Sequence, residues 1–304
     1  MLDIEAKREE LLSKAQHNGT AELLNDLGAV EAMRGEVDPA LAYLKAAARI
    51  DPDHEDIKAN LSVLAARPEA AGETVDRIAG QVAADAMDCS PSYVHDWRRK
   101  RLQAVVEHFG AGWFAGARVL ELGAGHGELG AMLLALGADV TFSDAGPERL
   151  ATIAERYPDV PAARLIAHDV EDLWPFERRY DLVLNMDLVH RVQHWQRSIA
   201  GALRCADRLV LESVVCDSDD PDVILHGPAT MHGPATMDGD AESAAAGCRP
   251  SAAAVEVLIR SLGFRFTRIS DNRCNAGPLR YDWPVTGTGT WQPELRRMWF
   301  VQRP

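Results

Sequence analysis

The segment YDLVLNMDLVHRVQHW places Asn185, Asp187, His190 and His194 just after an apolar run. Carboxylates and imidazoles exchange protons near neutral pH, so Asp187, His190 and His194 form a candidate acid–base cluster for activating a nucleophile. His190 and His194 stand four apart, on one face if a helix has begun there. That spacing also suits a metal, and it suits plain helix surface or packing; no metal is assigned. Upstream, ELGAGHGELG (Glu121–Gly130) is a glycine-rich turn between the apolar runs RVL and AMLLAL. Glycines let backbone approach a ligand closely, and such turns hold nucleotide cofactors.

Three cofactors compete for this turn. A Walker A loop is excluded, because no lysine followed by serine or threonine closes it. The dinucleotide pattern GxGxxG fails from Gly123, where the third position is Glu128. From Gly125 it succeeds with Gly127 and Gly130, at the cost of leaving Gly123-Ala124 between strand and fingerprint. The third candidate is S-adenosylmethionine.

These residues need a frame that converges them. Strands are predicted near 118–122, 139–143, 163–167, 180–185 and 207–214, with helices near 128–136, 147–156 and 190–205 between them. Such alternation predicts an α/β fold, a doubly wound, Rossmann-like, mostly parallel sheet of seven strands once 264–270 and 297–302 are added. A helix over 251–262, capped by Ser251, precedes the last two strands. Ligands of such sheets bind at the carboxyl ends of the strands.

VLELGAGHGELG resembles motif I of the class I S-adenosylmethionine-dependent methyltransferases, an acidic residue and spacer followed by GxGxG: Glu121, Gly123, Gly125, Gly127. The resemblance extends from about Trp97 to the C-terminus. It implies that Asp144, ending the second strand in VTFSDA, accepts the ribose hydroxyls, and that Asp169 and Val170 in AHDVEDL contact the adenine. It places Asn185 and the turn after it beside the transferring methyl group, and it makes S-adenosyl-L-methionine the cofactor. An arginine of the preceding helix could pair with the donor's α-carboxylate, Arg98 first and Arg101 second.

A small all-α unit precedes this domain. Leu24, Leu27, Gly28, Ala40, Leu44, Ala47 and Pro52 fit the helix-turn-helix tetratricopeptide (TPR) pattern, although Glu31 stands where an aromatic is usual. An unrelated helical hairpin remains the alternative. The expected division is a TPR-like unit over 1–70, a linker and helix over 71–92, and a methyltransferase domain over 93–304 with an irregular, lid-like insertion at 217–249. That insertion carries HGPATM twice in succession, most simply a loop duplication.

The formal charge of -14 disfavours nucleic acid as partner, as does Asn185-Met186-Asp187-Leu188 in place of the Asp/Asn-Pro-Pro-aromatic motif of enzymes that methylate DNA-base amines. The basic run Arg98 to Arg101 points all round a helix and reads as a solvated helix with one or two inward contacts. No apolar run spans a bilayer, and the N-terminus lacks the apolar centre of a secretory signal, so no membrane partner and a cytoplasmic location are expected. Five scattered cysteines read as reduced thiols.

In the C-terminal third, Tyr281, Trp283, Trp291 and Trp299 could line an acceptor pocket, and Arg249, Arg280, Arg296 and Arg297 could meet an anionic acceptor; core tryptophans and surface arginines are the plain alternative. The expected function is O-methylation of a small metabolite or saccharide. Behind it stand N- or protein methylation, an NAD oxidoreductase, and a degenerate scaffold recruited through the TPR-like unit, which could bind a protein partner or a second copy.

Overall fold

The computed structural model describes residues 4–15, 19–34, 37–65, 75–82, 92–176, 180–228 and 246–304. The chain divides into two compact units, Met1–Arg77 with Val105–Gly116, and Ile78–Ala104 with Ala117–Pro304.

The first unit is helical: α1 (Ile4–Ala15), α2 (Ala21–Arg34), α3 (Val37–Ile50) and α4 (Glu55–Ala65). Its tightest contact is where the small-residue spacing placed it. A Cβ added to Gly28 would lie 2.5 Å from Leu44 Cγ and 3.1 Å from the Ala40 carbonyl, so only glycine permits this approach of α2 to α3. Ala40, Leu44 and Ala47 pack with Ile57 and Leu61 of α4. Pro52 sits in the turn after α3, where its missing N–H costs no helical hydrogen bond. Helix α1 has no counterpart in the sequence prediction; it adds Leu11 against Leu27 and Val30. It also explains Glu31, which is buried and paired with Arg8 at 2.7 Å and Arg34 at 2.5 Å. Burial opposes ionisation of Glu31, but the two arginines outweigh it and hold the carboxyl below its ordinary range. The aromatic stretch Phe109, Trp113 and Phe114 belongs to this unit by contact, whereas the sequence division stops at residue 70. The linker 66–74 lies outside the described residues.

The second unit contains part of the helical stretch 75–82 (α5), most of α6 (Ser92–Phe109), and a sheet ordered β3-β2-β1-β4-β5-β9-β8. Its strands are β1 (Arg118–Leu122), β2 (Asp139–Asp144), β3 (Leu165–Ala167), β4 (Leu182–Met186), β5 (Arg208–Cys216), β8 (Arg265–Ile269) and β9 (Trp291–Gln302). The first five are parallel; β9 runs antiparallel between β5 and β8. Helices α7 (Glu128–Ala135), α8 (Pro147–Arg156), α9 (Trp195–Cys205) and α10 (Ala252–Ser261) supply the crossovers. Ser251 caps α10 as expected, its side chain accepting from the Ala254 N–H. Strand order reverses between β1 and β4, which opens a crevice at their carboxyl ends. The antiparallel β9 separates this sheet from the all-parallel 3-2-1-4-5-6 order of dinucleotide-binding folds.

Two expectations need correction. Strand β9 begins six residues before the predicted 297, because Arg296 pairs with Val214 of β5 and, past an irregularity at Val214–Cys216, Trp291 pairs with Cys216. The insertion 217–249 is not irregular throughout: Ile224–Pro228 (β6) and Ala246–Pro250 (β7) form an antiparallel pair. Ser218 and Asp217 are also ordered, since Asp217 receives the N–H groups of Thr286 and Gly287 and the hydroxyls of Thr286 and Thr288. The duplicated hexapeptides, apart from His226-Gly227-Pro228, lie outside the described residues.

Candidate active site

Three residues of the glycine turn, Gly123, Gly125 and Gly127, have φ of 61°, 57° and 80°. L side chains rarely adopt this conformation, so the turn needs these glycines whatever it binds. Gly125 differs from its neighbours in what faces it. A Cβ at Gly123 or Gly127 would meet Leu188 at 3.1 Å or Ile153 at 3.0 Å, whereas one at Gly125 would meet nothing within 4 Å. The turn is therefore packed on both flanks and open at its tip.

Asp144 fixes that tip. Its Oδ2 accepts the Gly125 N–H at 2.9 Å and its Oδ1 the Gly146 N–H at 2.8 Å. A carboxylate has about four lone-pair sites, so two remain for a diol. Glu121 does something different: it is buried beneath the turn, and its Oε2 accepts the Gly130 N–H at 3.1 Å. Burial, reinforced by the nearby Glu128 carboxylate, pushes its titration up to about 8. Asp169 is exposed at the end of β3 and its Oδ1 accepts from the Glu171 N–H; Val170 is buried beside it. Arg98 is half-buried, with Nη2 3.9 Å from Glu128 Oε1 at the start of α7. An open tip, a doubly anchored carboxylate and an apolar contact beyond β3 fit a nucleoside with a charged tail.

Across the crevice the chain turns sharply after β4. Asp187 has φ of 61°, the sole non-glycine residue with positive φ among the described residues. The turn is held from several sides. The Asp187 N–H donates to the Glu212 carbonyl at 2.9 Å, its Oδ2 accepts from Arg191 at 2.9 Å, and its Oδ1 meets Arg296 Nη1 at 2.5 Å. Burial opposes the charge on Asp187, but Arg296 and Arg191 overcome it and keep the carboxyl well below its ordinary range. Glu212, fully buried in β5, accepts from Arg296 at 2.9 Å and from the Tyr281 hydroxyl at 3.0 Å, and lies 3.5 Å from Arg101. Trp97 donates its indole N–H to Tyr281 at 2.7 Å and lies beneath both Arg101 and Arg296.

His190 is fully buried in a 3₁₀ turn (Val189–Arg191). Its Nδ1 is 3.1 Å from Ser213 Oγ, whose own hydroxyl donates to the Val214 carbonyl at 3.1 Å. With that proton committed, Ser213 accepts, so Nδ1 carries the hydrogen and Nε2 keeps its lone pair. Nε2 has no hydrogen-bond partner among the described residues, and Asp187 Oδ1 is 3.8 Å away. Burial, together with Arg191, Arg296 and Arg249, holds the imidazole neutral to well below its ordinary range despite Asp187.

Other predicted residues lie elsewhere. His194 is exposed and precedes the first residue of α9; no helix connects it to His190, so the expected shared face does not exist. Asn185 is fully buried; its Nδ2 donates to Ser198 of α9 at 2.7 Å, and its Oδ1 has no hydrogen-bond partner among the described residues. Trp299 is fully buried and donates to Glu256 at 3.1 Å, and Tyr281 is fully buried with its hydroxyl on Glu212. Arg297 holds the Tyr281 and Trp283 carbonyls, and Arg280 is exposed on the Gly277 carbonyl; Arg249 is buried against the Trp291 ring at 4.2 Å. The residues that sequence reasoning missed are Trp97, Glu212 and Ser213. Glu212 left one signal, a lone acid inside the apolar run LVLESVV.

Residues 119–209 match the methyltransferase domain family. The chain is similar to the protein N-lysine methyltransferase METTL21A of Danio rerio, 34% identical over 113 residues, covering 31% of this chain and 51% of that protein. It is also similar to the ubiquinone biosynthesis O-methyltransferase of Cereibacter sphaeroides, 36% identical over 90 residues, 26% of this chain and 32% of that protein. The chain thus spans about half or less of the length of these relatives. Among solved structures, the N-terminal domain of EvdMO1 with SAH bound is 19% identical with a TM-score of 0.46, covering 68% of this chain and 80% of that one. Within the second unit, residues 119–209 are a methyltransferase domain of the S-adenosylmethionine-dependent kind, set in a class I-like sheet. No helix among the described residues is long and apolar enough to cross a membrane.

Proposed function

We propose that the chain methylates a hydroxyl group of a small metabolite or saccharide. S-Adenosylmethionine supplies the methyl group, on a sulfonium carbon already activated for displacement. Asp144 and Gly125 hold the ribose, Asp169 and Val170 the adenine, and Arg98 the α-carboxylate, while Glu121 supports the turn from below. In-line displacement then asks the protein for alignment and for removal of one proton.

The observation that carries the hydroxyl reading is the bare Nε2 of His190. A neutral alcohol is a poor nucleophile; as its oxygen bonds to the methyl carbon and the carbon–sulfur bond breaks, the hydroxyl proton passes to Nε2. Asp187, 3.8 Å away, partly offsets the burial and the arginine charges that oppose the imidazolium, and Ser213 keeps the ring in register. The zebrafish relative acts, by its name, on lysine. A lysine ammonium would want a carboxylate to itself, and here both Asp187 and Glu212 are taken by arginines, which favours the hydroxyl.

The proposed part of the first unit is to engage a protein partner or a second copy; Met33 and Ile50 are large apolar side chains exposed on α2 and α3. A cytoplasmic setting is proposed with it. The Cys216, Cys248 and Cys274 thiols are pushed up by burial to about 11, 12 and 12, which suits a reducing compartment.

Incubating the chain with a metabolite extract and isotopically labelled donor, followed by mass spectrometry, tests the assignment. One labelled methyl on a hydroxyl is expected, lost in His190→Gln; a product labelled on nitrogen, or a fully active His190→Gln, overturns it.

A further inference from the structure

We propose that the acceptor carries an oxyanion, a carboxylate or a phosphate, and that the Nε–Nη2 edge of Arg296 grips it. This rests on the methyltransferase reading and specifies its acceptor. Arg296 is fully buried. Its Nη1 is fully used, on Asp187 at 2.5 Å and Glu212 at 2.9 Å. Its Nε and Nη2 are buried and have no acceptor among the described residues. That pair of nitrogens is the bidentate edge with which a guanidinium binds carboxylate or phosphate. The Trp97 ring lies on the face of the guanidinium, 4.6 Å from Cζ, and leaves the in-plane edge to another group.

The surrounding charges point the same way. Arg101, Arg191 and Arg296 face the carboxylates of Asp187 and Glu212, three cations against two anions, and His190 is held neutral. Arg101 is buried as well, and its Nε also has no acceptor among the described residues. An incoming anion would give these buried donors the acceptors that they lack.

Position ties this edge to the reaction. Arg296 pairs with Val214 at the carboxyl end of β5, and the same Asp187 oxygen touches both its Nη1 and, at 3.8 Å, His190 Nε2. An acceptor held by its oxyanion on Arg296 therefore presents a hydroxyl one carboxylate away, at the base. The fit is to acidic sugars, hydroxy acids and sugar phosphates, and against neutral saccharides.

The test is calorimetry on the full chain saturated with S-adenosylhomocysteine, titrated with glucuronate, inorganic phosphate and glucose. One of the two oxyanions is expected to bind in a single site at least tenfold more tightly than glucose, and which one wins separates carboxylate from phosphate. Arg296→Lys retains the charge beside Asp187 and Glu212 but lacks the bidentate edge. It should lose at least tenfold in oxyanion affinity with unchanged affinity for S-adenosylhomocysteine. Unchanged oxyanion binding in that variant overturns the proposal. Should the variant fail to fold, a crystal of the wild-type chain with the winning oxyanion decides: an anion on Nε and Nη2 supports the assignment, and one seated elsewhere refutes it. If S-adenosylhomocysteine itself does not bind, the methyltransferase reading fails; if it binds and neither oxyanion does, this inference alone fails.

Discussion

Glu121 offers a worked test of how the glycine turn is supported. Its carboxyl keeps a proton in the folded chain up to about pH 8, whereas in the unfolded chain it ionises near 4.5. The folded state therefore binds that proton more tightly. The stabilisation is complete below pH 4.5, declines as pH rises, and is gone above 8. At ~1.4 kcal/mol per pH unit, the whole window amounts to about 5 kcal/mol as an upper figure. Glu121→Gln removes the ionisation while Oε1 still accepts the Gly130 N–H, and the new amide can face Glu128 without repulsion. Urea denaturation of both proteins without donor, at about pH 5.5 and 8.5, reads the effect. The variant should gain on the wild type by up to ~3 kcal/mol more at the higher pH, the part of the window between those two values. Curves whose separation is the same at both pH values would refute the reasoning, and with it the claim that burial and Glu128 dominate this carboxyl.

Four further outcomes follow from the geometry. Asp144→Asn loses a charged acceptor for two backbone N–H groups and for a diol, so affinity for S-adenosylhomocysteine should fall by about tenfold or more, from ~1.5–3 kcal/mol per charged hydrogen bond; calorimetry checks it. Gly125→Ala puts a methyl into the open tip at positive φ, costing ~1–2 kcal/mol of stability but most of the donor affinity, as melting and titration together would show. His190→Gln should lower kcat by ~10²–10⁴-fold with donor affinity intact, and the wild-type rate should stay flat as pH falls through 6.5, because His190 is already neutral there. Asp217→Asn should destabilise the chain by ~1–3 kcal/mol at neutral pH in urea titrations. Hydrogen bonds hold the Asp217 carboxyl well below its ordinary range against burial, so the wild type loses this advantage only as pH drops below about 4.

The sheet was legible because its parallel strands are short apolar runs alternating with helical stretches. That alternation puts Glu121, the three glycines and Asp144 at strand ends, while their proposed donor roles come from the resemblance of VLELGAGHGELG to motif I. The acceptor side was not. Periodicity carries no signal for Trp97, Glu212, Tyr281 and Arg296 meeting, since an antiparallel strand and a looping segment bring them together from far apart in the chain. His194 misled because four-residue spacing means a shared face only inside a helix, and here a 3₁₀ turn ends before α9 starts. Strand β9 hid its first half behind Pro293 and two charged residues, Glu294 and Arg296, the second buried and paired.

That long return strand has a consequence for how the protein matures. The side of the crevice proposed to hold the nucleoside is built from neighbouring turns between Arg118 and Val170, whereas the side proposed to accept the proton is finished only when the last strand delivers Arg296 to Asp187. Pairings of high sequence separation form late, so a nascent or C-terminally shortened chain should recognise nucleoside before it gains any capacity to turn over.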